Sequence, residues 1–126
     1  NTAEMLLDTS GAGLHKRGYR KNATLAPITE TLAAGIVDLG RVRRDSFVQD
    51  PFCGSGTLVI EAAQKALNIA PGLRRRFAGE HFGFLPAEAW QQARQQALEA
   101  AKPDAAFEAE GFDIDPAAVA LATANA

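Results

Sequence analysis

The stretch 50–57, which reads Asp-Pro-Phe-Cys-Gly-Ser-Gly-Thr, places the tightest constraint on how this chain can fold. A short β-prone run, 46–49, precedes it, and a helix-prone run, 58–70, follows it. A strand, a glycine turn and a helix in that order form the unit that binds nucleotide-like ligands at the carboxyl end of a parallel sheet. Gly54 and Gly56 carry no Cβ, so the backbone can turn tightly and lie close to a ligand there. The sequence therefore predicts an α/β fold organised around a ligand-binding loop.

The residue pattern of this loop argues against binding of two common nucleotides, NAD and ATP. A dinucleotide fingerprint requires G-x-G-x-x-G, and Val59 stands where the third glycine belongs. A P-loop requires a lysine directly after its second glycine, where this chain has Thr57. Asp50, at the end of the predicted strand, would repel a phosphate and suit a cation. S-adenosylmethionine carries an amino group and a sulfonium but no phosphate, so the loop favours it as the cofactor.

Residues 50–57, followed by Ile-Glu-Ala-Ala at 60–63, closely resemble motif I of the THUMP-associated RNA methyltransferases, which are related to N6-adenine methylases. Three further segments, 7–20, 26–34 and 69–73, are similar to the bacterial large-subunit rRNA guanine-N2 methyltransferases. The resemblance covers nearly the whole chain. It implies a partial Rossmann-like, class I S-adenosylmethionine-dependent methyltransferase fold, and methyl transfer to guanine N2 of 23S rRNA.

The resemblance also implies how the 126 residues are organised. Residues 1–25 are expected to form a β-hairpin and linker, and residues 26–126 the N-terminal, cofactor-binding half of the methyltransferase domain. The family's THUMP domain and its Asn-Pro-Pro-Tyr-like catalytic loop have no counterpart in these residues. We therefore expect a fragment with no catalytic residue of its own, inactive alone.

Within the family pattern, Asp50 is expected to receive the methionine amino group. Asp113 follows the second predicted strand, 107–112, where an acidic residue holds the ribose hydroxyls; a carboxylate suits this because it accepts two hydrogen bonds. Ile114 is expected to pack on the adenine. The predicted cofactor-binding residues are Asp50, Pro51, Phe52, Cys53, Gly54, Gly56, Thr57, Asp113 and Ile114.

Several of these residues also have a structural interpretation. Cys53 is better explained as a small buried loop residue than as a nucleophile or metal ligand, because a metal site needs several ligands; no metal site is predicted. Thr57 is expected to cap the helix that it opens. Asp115 and Pro116 are expected to be the N-cap and first residue of the following helix.

The helix expected to open near residues 24–27 and to end at Gly40 contributes two further candidates. Thr29 and Glu30 are candidates for the cofactor's methionine end, although two polar residues in a first turn can equally complement the helix dipole. Regular spacing of apolar side chains predicts the core faces of this and the next two helices. These faces are Ile28, Leu32, Ile36 and Leu39; Leu58, Ala62, Ala66 and Ile69; and, within a helix at 86–101, Trp90, Ala93, Ala97 and Ala101.

The net charge of −2 does not indicate a nucleic-acid partner, but the basic residues are clustered. Two clusters mix cations with aromatic side chains, a composition suited to phosphates and stacked bases. Simpler explanations stay open: a charged hairpin edge for the first, and a surface loop with buried phenylalanines for the second. The candidate RNA-binding residues are His15, Lys16, Arg17, Tyr19, Arg20, Arg74, Arg75 and Arg76.

Three other functions compete with rRNA methylation. An N6-adenine DNA methylase shares motif I. A non-catalytic nucleic-acid-binding module would use the basic clusters but need neither Asp50 nor Asp113. A dinucleotide oxidoreductase is disfavoured by Val59. The single cysteine excludes an internal disulfide and fits a reducing compartment, and no apolar run is long enough to span a membrane. A cytoplasmic location without a membrane partner is therefore expected.

Overall fold

The computed structural model describes residues 2–20 and 27–126. Four helices, α1 to α4, two strands, β1 and β2, and one short 3₁₀ helix are found in this described part of the chain. In order, these elements are α1 Glu30–Leu39, β1 Phe47–Asp50, α2 Thr57–Ala66, the 3₁₀ helix Ala78–His81, α3 Ala87–Ala100, β2 Glu108–Gly111 and α4 Pro116–Asn125. None of the helices in these two ranges is both long and apolar enough to cross a bilayer.

The two strands pair in parallel, with Phe47 opposite Glu108 and Asp50 opposite Gly111. A parallel pair needs a long crossover connection, and here α2, the 3₁₀ helix and α3 supply it. Because both strands run in the same direction, the residues that follow them meet at one edge of the sheet. The predicted α/β, partial Rossmann-like arrangement is confirmed.

The core forms where α1 packs against α2. Ala33 and Val37 of α1 are buried, as are Ala62 and Ala66 of α2. Small side chains allow the two backbones to approach closely. Of the predicted α2 stripe, Ala62 and Ala66 are therefore correct, while Leu58 and Ile69 are only half-buried, and Ile60 is buried instead.

The predicted apolar face of α1 is wrong. Leu32, Ile36 and Leu39 are exposed, and the buried face consists of Glu30, Ala33 and Val37. Both faces of this helix carry apolar residues at helical spacing, so periodicity alone could not choose between them. The buried face has the small side chain of Ala33 at its centre. On the same face, the Glu30 carboxylate pairs with Arg20 inside the protein.

The predicted β-hairpin is also wrong for the residues that the structure describes, since 2–20 contain no strand; 21–25 lie outside them. Asp8 organises a turn instead, accepting from the backbone N–H of Ser10 at 2.8 Å. The segment then lies against the loop before α3, where Gly79 N–H donates to the carbonyl of Thr9 at 2.9 Å. Arg17 and Arg20 donate to buried carboxylates, so the segment is held in place without a strand ladder.

The helix ends show which local predictions were reliable. Asp115 caps α4 as predicted, accepting from the N–H of Ala117 at 2.9 Å, with Pro116 as the first helical residue. The prediction that Thr57 caps α2 is wrong, because Gly56 is the N-cap residue and Thr57 is already helical. Helix α3 matches its predicted bounds to within a residue, but none of its residues is fully buried.

Candidate functional site

The glycine loop, residues 51–56, lies across the carboxyl ends of both strands. The N–H of Cys53 donates to the carbonyl of Phe112 at 2.7 Å, and the N–H of Phe112 donates to the carbonyl of Asp50 at 2.8 Å. These bonds join the loop after β1 to the residues after β2. Asp50 and Asp113, which were predicted from separate parts of the sequence, therefore belong to one site.

The Asp113 carboxylate is fixed in place by backbone donors. Its Oδ2 accepts from the N–H of Gly54 at 2.9 Å, and its Oδ1 accepts from the N–H of Asp115 at 2.9 Å. The hydrogen bond from Asp115, followed by the one from Gly54, lowers the pKa of Asp113, so the group is ionised at neutral pH. Each carboxylate oxygen has a further lone pair with which it can accept from a ligand.

Asp50 is held in a similar way, since its Oδ1 accepts from the N–H of Phe52 at 3.0 Å. Two oriented carboxylates at one edge of a sheet repel a phosphate and attract hydroxyl or ammonium donors. Exposed apolar side chains stand next to both: Phe52 is 86% exposed and Ile114 is fully exposed. These two acceptors and their apolar neighbours fit a nucleoside with a cationic group and without phosphate, which is the chemistry of S-adenosylmethionine.

Two glycines of the loop adopt left-handed backbone conformations, with φ of 52° at Gly54 and 80° at Gly56. At Gly56, an added Cβ would lie 3.0 Å from the Cβ of Ala122 in α4. Any other residue would therefore be strained there and would push against α4. The fold itself therefore requires glycine at position 56.

Cys53 is buried beneath the loop, against the backbone of Gly111. Burial raises the pKa of its thiol, and the carboxylates of Asp50 and Asp113 raise it further. The thiol is therefore protonated at neutral pH and is a poor nucleophile. These facts support its interpretation as a loop residue that shapes the site.

The Arg20 side chain donates hydrogen bonds to the glycine loop and to the helix that follows it. Its Nη2 donates to Oγ1 of Thr57 at 2.7 Å, and its Nη1 donates to Oγ of Ser55 at 3.2 Å. Its Nε donates to Oε1 of Glu30 at 2.9 Å. One guanidinium therefore joins the loop, the first turn of α2 and the first turn of α1.

This arrangement changes the interpretation of the two α1 candidates. Glu30 is buried and its carboxylate is paired with Arg20, so it acts on the loop through that arginine. Thr29 is exposed at the N-cap of α1, and its side chain makes no capping hydrogen bond. The structure thus assigns Glu30 a partner that the sequence did not indicate.

A second buried carboxylate, Glu61 of α2, had no assigned role in the sequence. The hydroxyl of Tyr19 donates to its Oε1 at 3.0 Å, and Nη2 of Arg17 donates to its Oε2 at 3.5 Å. Burial raises the pKa of Tyr19, and the Glu61 carboxylate raises it further, so the phenol stays protonated and donates. An acidic residue on the buried face of an apolar helix was the one available signal for this pairing.

Arg75 is likewise committed to internal acceptors. Its Nη1 donates to the carbonyl of Gly13 at 2.9 Å, and its Nη2 donates to the carbonyl of Ser10 at 3.2 Å. The side chain is buried and lies over the ring of Phe77, with Cζ 4.9 Å from the ring centroid. It fastens the N-terminal segment to the loop before α3.

The predicted RNA-binding set therefore divides in two. The first group turns inward and donates hydrogen bonds to acceptors within the protein: Arg17, Tyr19, Arg20 and Arg75. The remaining four side chains are exposed, and these are His15, Lys16, Arg74 and Arg76.

Comparison with known families places this site in context. The model of the UPF0020 family, described as the RMKL-like methyltransferase domain, matches residues 17–126. The chain belongs to this family. The match includes the glycine loop, both acidic residues of the site and the supporting residues Arg17 to Arg20, so the site described above lies within the UPF0020 domain.

Individual relatives agree with this assignment. Ribosomal RNA large subunit methyltransferase K/L of Alcanivorax borkumensis is 43% identical over 135 aligned residues, which cover 100% of this chain and 19% of the relative. The crystal structure of a "predicted N6-adenine-specific DNA methylase" from Listeria monocytogenes superposes with a TM-score of 0.89 at 47% identity, covering 94% of this chain and 31% of that one. The structure of SMU.472 complexed with SAH superposes with a TM-score of 0.87 at 43% identity, covering 94% and 30% respectively.

The chain thus spans between about a fifth and a third of the length of its first curated relatives, 19% and 32%.

Proposed function

We propose that this chain is the cofactor-binding part of an S-adenosylmethionine-dependent methyltransferase that acts on an exocyclic amine of RNA, guanine N2 of 23S rRNA. The observation that carries the proposal is the hydrogen bond between the Gly54 N–H and the Asp113 carboxylate, which joins the glycine loop to the acid after β2. Family membership, a relative named as a large-subunit rRNA methyltransferase and a neighbour complexed with SAH support it.

Each side chain of the site has a proposed role. Asp113 accepts hydrogen bonds from the two ribose hydroxyls, and Asp50 accepts from the methionine amino group. Gly54 and Gly56 allow the backbone to approach the ligand. Ile114 packs on the adenine, and the exposed ring of Phe52 covers the same region. The residues that maintain the shape of the loop are Pro51, Cys53 and Thr57.

Bound S-adenosylmethionine supplies an electrophilic methyl group to an attacking amine. The residues of this chain contribute by positioning, which can account for a large share of the rate of a two-substrate reaction. Arg20 and Glu30 are positioning residues, because they act through Ser55 and Thr57. No residue of this chain is proposed to contact the target base as a catalytic group.

DNA methylation is the second candidate, and it is favoured by the name of the Listeria monocytogenes neighbour. Methyl-transfer assays with the full-length protein on a 23S rRNA fragment and on duplex DNA decide between the two. Incorporation into RNA guanine supports the proposal, and incorporation into DNA adenine supports the alternative.

Calorimetric titration tests the cofactor assignment. S-adenosylmethionine and S-adenosylhomocysteine are expected to bind, whereas ATP and NADH are not. Asp113→Asn should weaken binding about tenfold or more, because an amide offers the ribose fewer acceptor sites than a carboxylate and charge-assisted hydrogen bonds are the stronger kind. The matched control is Asp45→Asn, an exposed aspartate before β1 at the opposite end of the strand.

A folded protein that binds neither S-adenosyl compound would rule out the methyltransferase assignment. RNA binding that persists in that case would favour the non-catalytic module.

A further inference from the structure

We propose that the cavity between the loop before α3 and the first half of that helix, here called the arginine cavity, binds the phosphodiester backbone of single-stranded RNA. The inference rests on the proposed action on RNA. The cavity has a volume of about 500 Å³ and is lined by residues 73–76, 80–81, 87, 90–91 and 94. It is separate from the glycine loop and contains no residue of the cofactor set.

The lining of the arginine cavity is strongly positive. It contains four arginines and one glutamate, a formal excess of three positive charges in a protein whose net charge is −2. The glutamate, Glu80, accepts from Nη2 of Arg94 at 2.6 Å and from the N–H of Phe77 at 2.9 Å. The negative charge of Glu80 is therefore paired within the protein, so it does not prevent an anion from binding in the cavity.

The four arginines have different tasks. Arg94 donates to the carbonyls of Leu73 at 2.9 Å and Arg75 at 2.7 Å, and Arg75 is held by the N-terminal segment. These two shape the loop. Arg74 is exposed, and Arg76 is 85% exposed with one loose ion pair, 3.5 Å from Glu80. Arg74 and Arg76 are thus available, and a guanidinium matches the oxygens of a phosphate with two parallel donors.

An aromatic surface adjoins these guanidinium groups. Trp90 stacks on Phe77 with ring centroids 5.7 Å apart and planes inclined by 20°, and it remains half-buried at the cavity wall. Gly79 leaves the space for the indole, since an added Cβ would lie 2.9 Å from Cζ2 of Trp90. An aromatic ring beside two exposed arginines is the combination used to bind single-stranded nucleic acid, where bases stack on the ring and phosphates pair with the guanidinium groups.

The arginine cavity is also connected to the cofactor loop through the N-terminal segment. An added Cβ on Gly18 would lie 2.6 Å from the carbonyl of Arg74, so the two backbones are in close contact. Its neighbours Tyr19 and Arg20 contact Glu61 and Thr57 of α2. RNA held in the cavity would therefore bind to a part of the protein whose position relative to the glycine loop is fixed.

The test compares Arg74→Gln/Arg76→Gln with Arg43→Gln/Arg44→Gln, which removes the same charge from exposed arginines before β1. Affinity of the full chain for a short fluorescein-labelled single-stranded RNA is measured by anisotropy over a range of salt concentrations. We expect the first variant to bind the RNA about tenfold more weakly. The slope of log affinity against log salt concentration should fall in magnitude by about 1.4, because each of the two lost phosphate contacts removes about 0.7. The control should change affinity less than about twofold.

Equal losses in the two variants would overturn the inference, since only total charge would then matter. Unchanged binding in Arg74→Gln/Arg76→Gln would overturn it as well, as would a wild-type chain that does not bind the RNA. Calorimetric titration of S-adenosylhomocysteine into the same variants separates this result from the proposed function. Cofactor binding in a chain that fails the RNA test leaves the methyltransferase assignment standing without the cavity.

Discussion

The basic segments 15–20 and 74–76 look alike in sequence, and the fold uses them differently. Both combine clustered cations with a nearby aromatic side chain. In the first, Arg17 and Arg20 turn inward onto Glu61 and Glu30, which are both buried. In the second, Arg74 and Arg76 stay exposed while only Arg75 turns inward.

The difference shows that charge density alone does not identify a nucleic-acid surface. What decides is whether a carboxylate or a group of carbonyls lies within reach once the chain has folded. Removing one partner of a buried ion pair leaves an uncompensated charge and costs several kcal/mol. An exposed arginine contributes little to stability and remains free for a ligand. Replacing Arg17 or Arg20 should therefore lower the stability of the protein, whereas replacing Arg74 or Arg76 should leave it nearly unchanged.

The largest effect is expected at Arg20. Arg20→Met leaves the Glu30 carboxylate buried without its partner, and we expect the free energy of unfolding to fall by about 3 kcal/mol. Urea denaturation followed by circular dichroism measures the change. In Arg20→Met/Glu30→Met we expect about half of the loss to be recovered, because no buried charge is then unpaired. A single variant as stable as the wild type would show that the pair is not buried as described.

Gly56 tests the loop that Arg20 supports. Gly56→Ala places a side chain at φ of 80° and against Ala122, and we expect a loss of about 2 kcal/mol. Gly35→Ala is the matched control: this glycine lies within α1 and an added Cβ meets nothing within 4 Å. The control should gain about 0.5–1 kcal/mol from helix propensity. Destabilisation by both alanines in thermal unfolding would contradict this distinction.

Tyr19→Phe removes the hydroxyl that donates to Glu61 and leaves the ring in place. We expect a loss of about 1–1.5 kcal/mol, the usual range for one hydrogen bond and somewhat more when its acceptor is charged. The measurement is chemical denaturation at neutral pH, where the raised pKa keeps the phenol protonated. A change below a few tenths of a kcal/mol would indicate that Arg17 alone satisfies Glu61.

The smallest effect concerns pH. The N–H of Phe77 and the Arg94 guanidinium lower the pKa of Glu80 in the folded protein, so its ionised form favours the folded state. This stabilisation is complete above the ordinary pKa of a glutamate, about 4.3, and is lost as pH falls through the lowered value. The stability difference between the wild type and Glu80→Gln should accordingly shrink below about pH 4. A difference that is constant from pH 7 down to acid would contradict the role of Glu80.

Features with a local cause were predicted well from the sequence. Strand β1, the turn at Gly54 and Gly56, and the Asp115 cap depend on neighbouring residues, and each was placed within a residue or two. The two site aspartates followed from the rule that parallel strands end at one edge of the sheet. The strand, the turn and the cap depend on residues nearby in sequence, whereas the two aspartates are brought together by the parallel pairing of the strands.

Features that depend on distant partners were missed. Tyr19 and Glu61 are separated by 42 positions, and Arg20 and Thr57 by 37, so no local pattern could join them. The orientation of α1 was wrong for the same reason, because the Glu30 side chain is buried by its pairing with Arg20 and brings its own face inward. Where the sequence predicted a hairpin, residues 2–20 form a segment without strands that is held by side-chain hydrogen bonds.

The most direct test of this account is a calorimetric titration of S-adenosylhomocysteine into Arg20→Lys, compared with Arg74→Lys/Arg76→Lys. Lysine keeps the charge opposite Glu30 but cannot reach Ser55 and Thr57 with a guanidinium fork. We expect S-adenosylhomocysteine to bind about tenfold more weakly to Arg20→Lys, corresponding to about 1.4 kcal/mol, and with unchanged affinity to the double variant. Unchanged binding in Arg20→Lys, or an equal loss in both proteins, would contradict the division between a basic segment that positions the cofactor loop and one that is free for RNA.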